Sequence, residues 1–223
     1  MRIAVYTCIT GGYDSLSVVP RGQSPDIDFI CFTDDPTMTH TEGNWSVRPI
    51  PPELAMLPKV KQQRVVKARP HAYLGDYGAT LWVDGNITPI CDVAKFISGY
   101  GLDGAAIWTR RHPLRDCAYA EASAVVKARR DSAKTVDAQM ARYREGGFPE
   151  HFGLHETGIL LRTNADPKVR EFGNLWAKEI LDGSHRDQLS FDWCRWRLGL
   201  EVGALKVGSL VKDPNSRWRR HRT

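Results

Sequence analysis

One short stretch of this sequence places an acid, a glycine and an amide directly after an apolar run. The run at residues 81–83 is typical of a buried strand, and the residues that follow it are Asp84, Gly85 and Asn86. Period-two alternation puts Asp84 and Asn86 on the same side, and Gly85 allows close backbone approach. Two oxygen ligands facing one cavity could hold a hard divalent cation on the phosphates of a nucleotide. A tight Asp-Gly turn between two strands explains the same residues equally well.

The first two predicted strands also end in residues that could bind a nucleotide. An apolar strand at 3–9 leads into a loop that carries Thr10, Gly11 and Asp14. Many nucleotide-binding sheets begin in this way, but neither GxGxxG nor a P-loop lysine is present, so a plain turn remains open. A second buried strand at 27–33 is followed by Asp34. That acid could accept hydrogen bonds from a ribose or a base, or simply start a turn.

A helical pattern precedes the Asp84 strand. It predicts a helix over 58–69 that Pro70 ends, with His71 just beyond. The basic residues of one helix face are Lys61, Arg64 and Lys67, at i, i+3 and i+6. A solvated basic face is the simplest interpretation. Because the helix runs directly into the next strand, a contact from Lys67 to a phosphate or a sugar is the alternative.

Two further acids lie near predicted element ends in the second half of the chain. Glu156 precedes a buried strand at 158–162. Ser184 and Asp187 have the spacing of a capping box, so Asp187 could serve only to cap the helix that follows. Neither core packing nor a solvated helix explains a polar group between 112 and 121 well, although His-Pro at a strand end could be a plain turn. The sequence does not decide whether this group contacts a donor or an acceptor.

The alternation of strands and helices predicts an α/β domain with a largely parallel sheet. Further strands are predicted at 45–50 and 105–109, one or two helices at 119–140, and a helix that Asp166 and Pro167 open. The 223 residues suit one well-buried domain, and no Ser/Gly-rich or Pro-rich linker divides them.

The composition is that of a globular protein, with 42% apolar residues and seven tryptophans. No apolar run approaches the roughly 20 residues that span a bilayer. Residues 1–6 begin a strand rather than a signal peptide, so we expect a cytoplasmic protein. Five cysteines without CxxC spacing indicate reduced core thiols rather than disulfides or a zinc site.

The chain is basic, with a formal net charge of +5. The excess lies in three clusters, at residues 110–115, 127–134 and 217–222. Such clusters suit nucleotide phosphates, acidic glycans, an anionic membrane face or nucleic acid. Because the basic residues are dispersed among acids and no recognition helix appears, we expect no nucleic-acid partner. The tail at 217–223 is interpreted as a disordered terminus, a dock on an anionic membrane, or a lid over bound diphosphate.

Six blocks occur in order along nearly the whole chain. They are YTCITGGYD at 6–14, CFTD at 31–34, Lys67 with Pro70 and His71, WVDGNI at 82–87, HPLRDCAYAE at 112–121 and RDQLSF at 186–191. Together they resemble a glycosyltransferase family once catalogued as a domain of unknown function and related to the mucilage-type transferases. More distantly, the layout resembles glycogenin-like and lipopolysaccharide galactosyltransferase-like retaining enzymes of the GT-A fold.

The resemblance implies one GT-A-like domain over 1–216, with a mostly parallel central sheet flanked by helices, and a basic tail at 217–223. It implies a divalent cation, Mn²⁺ or Mg²⁺, bound by Asp84, Asn86 and His221. Donor-binding residues are then Thr10, Gly11, Asp14, Asp34, Lys67, His71, Asp84 and Gln188. The catalytic residues are then Asp187 and Glu156. Contacts to acceptor or donor are assigned to His112, Arg115, Tyr119 and Glu121.

The implied function is transfer of a sugar from a nucleotide-sugar donor, by analogy a UDP-sugar, to a glycan, a glycolipid or another hydroxyl acceptor. The resemblance further implies a metal-assisted, retaining reaction in polysaccharide biosynthesis, with peripheral contact at the inner membrane face through the tail. Asn86 stands where those enzymes have a second aspartate, so the site should hold a cation less tightly. The missing charge could come from another residue, or Asp84 and Asn86 could contact the nucleotide without a metal. This departure leaves a non-catalytic nucleotide-sugar or glycan-binding module of the same fold as the alternative.

Overall fold

The computed structural model describes residues 1–19, 21–38, 42–89, 91–99, 105–205 and 216–218. Within these residues, seven strands form one sheet in the order β3-β2-β1-β4-β7-β6-β8. The strands are β1 Ile3–Ile9, β2 Ile27–Thr33, β3 Ser46–Pro49, β4 Ala79–Val83, β6 Ile107–Arg111, β7 His155–Thr163 and β8 Val202–Ala204. All of them run in one direction except β7, which is antiparallel to both β4 and β6. The predicted α/β class and mostly parallel sheet are confirmed.

Helices cover both faces of this sheet. They are α1 Lys59–Ala68, α2 Pro70–Tyr73, α3 Val93–Ser98, α4 Ala118–Lys127, α5 Ala133–Glu145, α6 Pro167–Asp182 and α7 Gln188–Arg197. One face of β1 packs in a cluster with α1 and α4–α7, and the other packs with α3. All seven residues of β1 and all five of β4 are buried for this reason.

The start of α6 follows the sequence prediction closely. The Asp166 carboxylate accepts a hydrogen bond from the Lys168 N–H at 2.8 Å, and Pro167 occupies the first turn. The helix then buries the predicted apolar stripe, which consists of Val169, Phe172, Trp176 and Ile180. This stripe fixes α6 against the sheet beside α1.

The helix predicted at 58–69 is shorter and its basic face is not solvated. It ends at Ala68, and Pro70 opens α2 instead of ending the helical segment. Lys61 donates to the carbonyls of Leu181 and Gly183, and Lys67 is 0% exposed. The solvated interpretation of this face is therefore wrong, because Lys61 binds carbonyls at the end of α6 and Lys67 is buried against Asp84 and Asp187.

The reversed direction of β7 determines which residues meet. The carboxyl ends of β1, β2, β4 and β6 lie at one edge of the sheet, and the amino end of β7 lies there too. We call this the site edge. It collects the segments that follow β1, β2, β4 and β6 together with the first residues of β7, which are 155–157.

The strand that directly follows Asn86 belongs to a second, two-stranded sheet. β5 (Ile87–Pro89) pairs antiparallel with β9 (Ser216–Trp218). The predicted metal ligand His221 lies outside the described residues.

All five cysteines are free thiols, four of them buried, as predicted. Among the described helices none is long and apolar enough to cross a membrane.

Candidate functional site

A buried lysine occupies the centre of the site edge. Lys67 Nζ lies 2.6 Å from Asp187 Oδ2, 3.2 Å from Asp84 Oδ1 and 3.1 Å from Thr157 Oγ1. The Thr157 hydroxyl in turn donates to Asp187 Oδ2 at 2.9 Å. Helical side chains point toward the helix N-terminus, so Lys67 reaches back from the last turn of α1 to this edge.

Arg64 lies one turn before Lys67 and faces the same two acids. Its Nε is 3.5 Å from Asp187 Oδ1, and its Nη1 is 3.7 Å from Asp84 Oδ1. Both distances are those of ion pairs. Neither Arg64 Nε nor Arg64 Nη1 makes a hydrogen bond with any described residue. Arg64, Lys67, Asp84 and Asp187 thus form a charge-balanced group that we call the ion quartet.

The quartet keeps Asp187 ionised. Burial alone would raise the pKa of Asp187, but Arg64, Lys67 and Arg186 together hold it well below its ordinary value. Burial lowers the pKa of Lys67, while Asp187 and Asp84 oppose that change. The carboxylate of Asp187 is therefore a fixed negative charge inside the protein.

The interpretation of Asp187 as a helix cap is wrong. α7 begins at Gln188, and Asp187 already has helical backbone angles and makes no side-chain capping bond. Its carboxylate binds Lys67 and Thr157 instead. The Gln188 amide donates to the carbonyl of His155 at 2.8 Å, which ties the start of α7 to the start of β7.

The segment after β4 is packed tightly. Asp84 Oδ1 also accepts a hydrogen bond from Trp82 Nε1 at 2.7 Å. A Cβ at Gly85 would lie 2.9 Å from Asp14 Oδ2, so only glycine lets Asp14 pack there. Asn86 is 5% exposed.

These residues do not fit a divalent cation held by Asp84 and Asn86. Asp84 already has two cations within 4 Å, Lys67 and Arg64, and Asn86 offers only a neutral, buried amide. Within the described ranges, no group of three or more His, Cys, Asp or Glu side chains could hold a metal ion.

The loop after β1 is fixed by Asp34. The Gly11 N–H donates to Asp34 Oδ1 at 2.9 Å, and Lys59 Nζ lies 2.8 Å from Asp34 Oδ2. Thr10 Oγ1 donates to the carbonyl of Lys59 at 2.8 Å. Burial would raise the pKa of Asp34, but Lys59 and the Gly11 N–H lower it overall. Asp34 thus positions the loop, which Gly11 can follow at its positive φ of 65°.

Two adjoining cavities open at the site edge. The larger, about 750 Å³, is lined by Thr10, Gly11, Tyr13, Lys59, Val60, Gln63, Arg64, Arg130, His185 and Arg186. We call it the basic cavity. The smaller, about 290 Å³, is lined mainly by Asp84, Asn86, His112, Arg115, Glu121, Glu156, Thr157, Asp187 and Gln188, and we call it the balanced cavity. The residues common to both are Arg64, Arg130 and Arg186.

Glu156 lies in the balanced cavity. Burial raises the pKa of Glu156, and Arg110, with Nη1 3.8 Å from Oε2, partly opposes this. The Oε2 atom makes no hydrogen bond with any described residue. That oxygen is positioned to accept a hydrogen bond from a bound hydroxyl group.

The polar group at 112–121 is only partly gathered in the balanced cavity. Arg115 Nε donates to the buried carboxylate of Glu121 at 2.5 Å, and His112 Nδ1 accepts from the Arg115 N–H at 3.0 Å. Burial, with Arg115 nearby, lowers the pKa of His112. The Tyr119 hydroxyl instead donates to the carbonyl of Phe148 at 2.8 Å. Its ring belongs to the core rather than to the cavity wall.

His71 is also placed away from the two cavities. Its Nε2 lies 3.1 Å from Asn174 Oδ1, because α2 packs against α6.

Four residues of the site, Arg64, Arg130, Thr157 and Arg186, were given no site role from the sequence. Arg130 belongs to a cluster noted only for its charge, and Arg186 directly precedes the Asp-Gln pair.

The mixed sheet, with its polar cleft at one edge and helices on both faces, defines an α/β protein. It is similar to the crystal structure of mouse xyloside xylosyltransferase 1 in its apo form, with a TM-score of 0.51 and 9% sequence identity over 92% of this chain and 84% of that chain. The TOD1/MUCI70, glycosyltransferase-like domain matches residues 1–208, so this chain belongs to that family. The resemblance inferred from the sequence blocks is confirmed. No curated protein matches this sequence.

Proposed function

We propose that this chain transfers a sugar from a nucleotide-sugar donor, first of all a UDP-sugar, to a hydroxyl group of a glycan or glycolipid, with retention of configuration. Membership in a glycosyltransferase-like family supports glycosyl transfer in general. One observation supports the specific site: the ion quartet lies where the basic cavity meets the balanced cavity. In a donor of this kind the nucleoside diphosphate is anionic and the sugar is neutral. The anionic part suits the basic cavity, and the neutral part suits the balanced cavity.

In this proposal, the nucleotide occupies the basic cavity and the sugar occupies the balanced cavity. The bond between the anomeric carbon and the diphosphate oxygen breaks, and the acceptor oxygen bonds to the same face of that carbon. The acceptor proton passes to the departing diphosphate oxygen. The ionised Asp187 stabilises the positive charge that develops on the sugar, because it is a preorganised anion with little solvent around it.

The neighbouring residues position these groups. Lys67 and Thr157 hold the Asp187 carboxylate in one orientation. Glu156 Oε2 accepts a hydrogen bond from the sugar or from the acceptor hydroxyl group. Gln188, through its bond to the His155 carbonyl, keeps the start of α7 against the sugar.

The test is to incubate the full chain with UDP-, GDP- and ADP-sugars, with and without a glycan acceptor, and to measure nucleoside diphosphate release. Turnover by the native chain and its loss in Asp187→Asn are expected, while Asp182→Asn, an exposed acid on α6, should leave turnover unchanged. Product anomers resolved by NMR test retention, and a β-linked product from an α-linked donor would contradict it. Nucleotide-sugar binding without any release would instead indicate the non-catalytic binding module.

Docking of the basic residues at 217–222 on an anionic membrane stays a prediction from the sequence. Cosedimentation with anionic vesicles, comparing the full chain with a 1–216 truncation, tests it. Equal cosedimentation of the two forms would contradict it.

A further inference from the structure

The basic cavity carries an excess of positive charge. Four cationic side chains line it, and none of the described residues in its wall is acidic. Lys59 is already paired with Asp34 just outside the wall. The remaining cations are Arg64, Arg130 and Arg186, which also line the balanced cavity. They therefore mark the boundary between the two.

Three guanidinium nitrogens of this boundary lack a hydrogen-bond partner, and the two that belong to Arg64 lie at ion-pair distance from Asp187 and Asp84. Arg64 Nε and Nη1 and Arg186 Nε are buried and make no hydrogen bond with any described residue. Buried donors without partners cost free energy unless a ligand satisfies them. Guanidinium groups present a planar fork of N–H donors that matches phosphate oxygens. The boundary is thus suited to a phosphate-containing ligand.

Asp131 holds two of these arginines in place. Arg130 lies in the loop at 128–132, and Arg186 lies in the loop at 183–187. The Asp131 carboxylate accepts hydrogen bonds from Ser184 Oγ at 2.6 Å and from the His185 N–H at 3.1 Å. Burial would raise the pKa of Asp131, but these bonds lower it overall, so the bridge is anionic. The two loops are joined before any ligand arrives.

We propose that Arg64, Arg130 and Arg186 bind the diphosphate of the donor and neutralise it as it leaves, so that binding and transfer require no divalent cation. This inference rests on the proposed function. It explains why Asp84 is paired with Lys67 and Arg64 rather than left open for a metal. It also explains the amide at Asn86, since guanidinium groups take the place of the cation that a second acid would bind.

The test is isothermal titration calorimetry on the full chain with inorganic pyrophosphate, UDP, GDP and ADP as probes, in excess EDTA and again in excess Mn²⁺. At least one nucleoside diphosphate should bind with the same Kd in both buffers. Arg130→Gln and Arg186→Gln should each weaken that binding by about tenfold or more, since each removes a charge-assisted hydrogen bond. Lys127→Gln removes the same charge from an exposed position at the end of α4 and should bind as the native chain does.

Arg130 is exposed, so its variant should fold even where Arg186→Gln does not. Binding that appears only with Mn²⁺ and is unchanged in Arg130→Gln would overturn the inference and leave the proposed function intact. Absence of binding by every probe in both buffers would overturn the inference and the proposed function together.

Discussion

The basic cavity and the balanced cavity share three arginines but differ in how charge is compensated. In the balanced cavity, cations face carboxylates of the protein itself, namely Asp84, Glu121, Glu156 and Asp187. In the basic cavity, no acid is found among the described wall residues. The shared arginines therefore face carboxylates on the side of the balanced cavity, and they face no acidic wall residue on the side of the basic cavity, where a ligand could supply the negative charge.

Burial accentuates this difference. The quartet residues Lys67 and Asp187 are almost completely shielded from water, so removing one charge strands another. Arg130 lies at an exposed position, where water and salt can replace a lost partner. The balanced cavity should therefore respond to substitution mainly in stability and chemistry, and the basic cavity mainly in affinity.

The largest effect is expected from Asp187→Asn. Without this carboxylate, Lys67 and Arg64 are left with Asp84 as their only acid in the quartet, and the free energy of unfolding should fall by about 3–5 kcal/mol. Urea titration measures it. Asp182→Asn breaks an exposed pair with Lys178 on α6 and should cost less than about 1 kcal/mol. Similar small losses in both variants would show that the four charges of the quartet are not coupled.

Glu156→Gln should affect chemistry without affecting affinity for the nucleotide. Loss of the charge near the reacting carbon is expected to lower kcat by about 10²–10³-fold. The Kd for a nucleoside diphosphate should be unchanged, because Glu156 does not line the basic cavity. Steady-state kinetics and calorimetry measure the two quantities, with the exposed Glu171→Gln on α6 as the control. Weaker nucleotide binding with a native kcat would show that Glu156 acts in the basic cavity and not in the balanced cavity.

A smaller effect is expected from pH. The pKa of Asp187 in the folded chain lies below the ordinary value of 3.8, so its stabilisation is present above that value and is lost as the pH falls through the folded pKa. The difference in free energy of unfolding between the native chain and Asp187→Asn should thus be constant above about pH 5 and shrink at more acidic pH. Urea titrations across this range measure it. A difference that grows on acidification would mean that the folded pKa of Asp187 is raised instead.

The comparison also shows which parts of the site can be predicted from sequence. β1, β2 and β4 are predictable because continuous apolar runs are a local property, and Asp84 follows directly from the end of such a run. The catalytic role of Asp187 is predicted only through the family resemblance, since its spacing from Ser184 fits a helix cap equally well. The reversed direction of β7 and the meeting of two distant loops at Asp131 depend on long-range packing. No local pattern encodes them.

The same limit explains two residues that the structure places elsewhere. His71 lies four residues beyond Lys67, yet α2 turns it toward Asn174 on α6. Tyr119 lies between Arg115 and Glu121 in sequence, yet its position on α4 faces Phe148. Neighbours in a motif share a site only if the helix face carries them to the same side.

Ionic strength should separate the two cavities most simply, although with the smallest effect. The Debye length is about 10 Å at 0.1 M salt, so charges in the open basic cavity are screened while the buried quartet is not. The Kd for pyrophosphate should therefore rise several-fold as salt is increased around that concentration. The stability difference between the native chain and Asp187→Asn should stay constant in the same buffers. Calorimetry and urea titration measure the two, and a salt-independent Kd with a salt-dependent stability difference would reverse the roles assigned to the cavities.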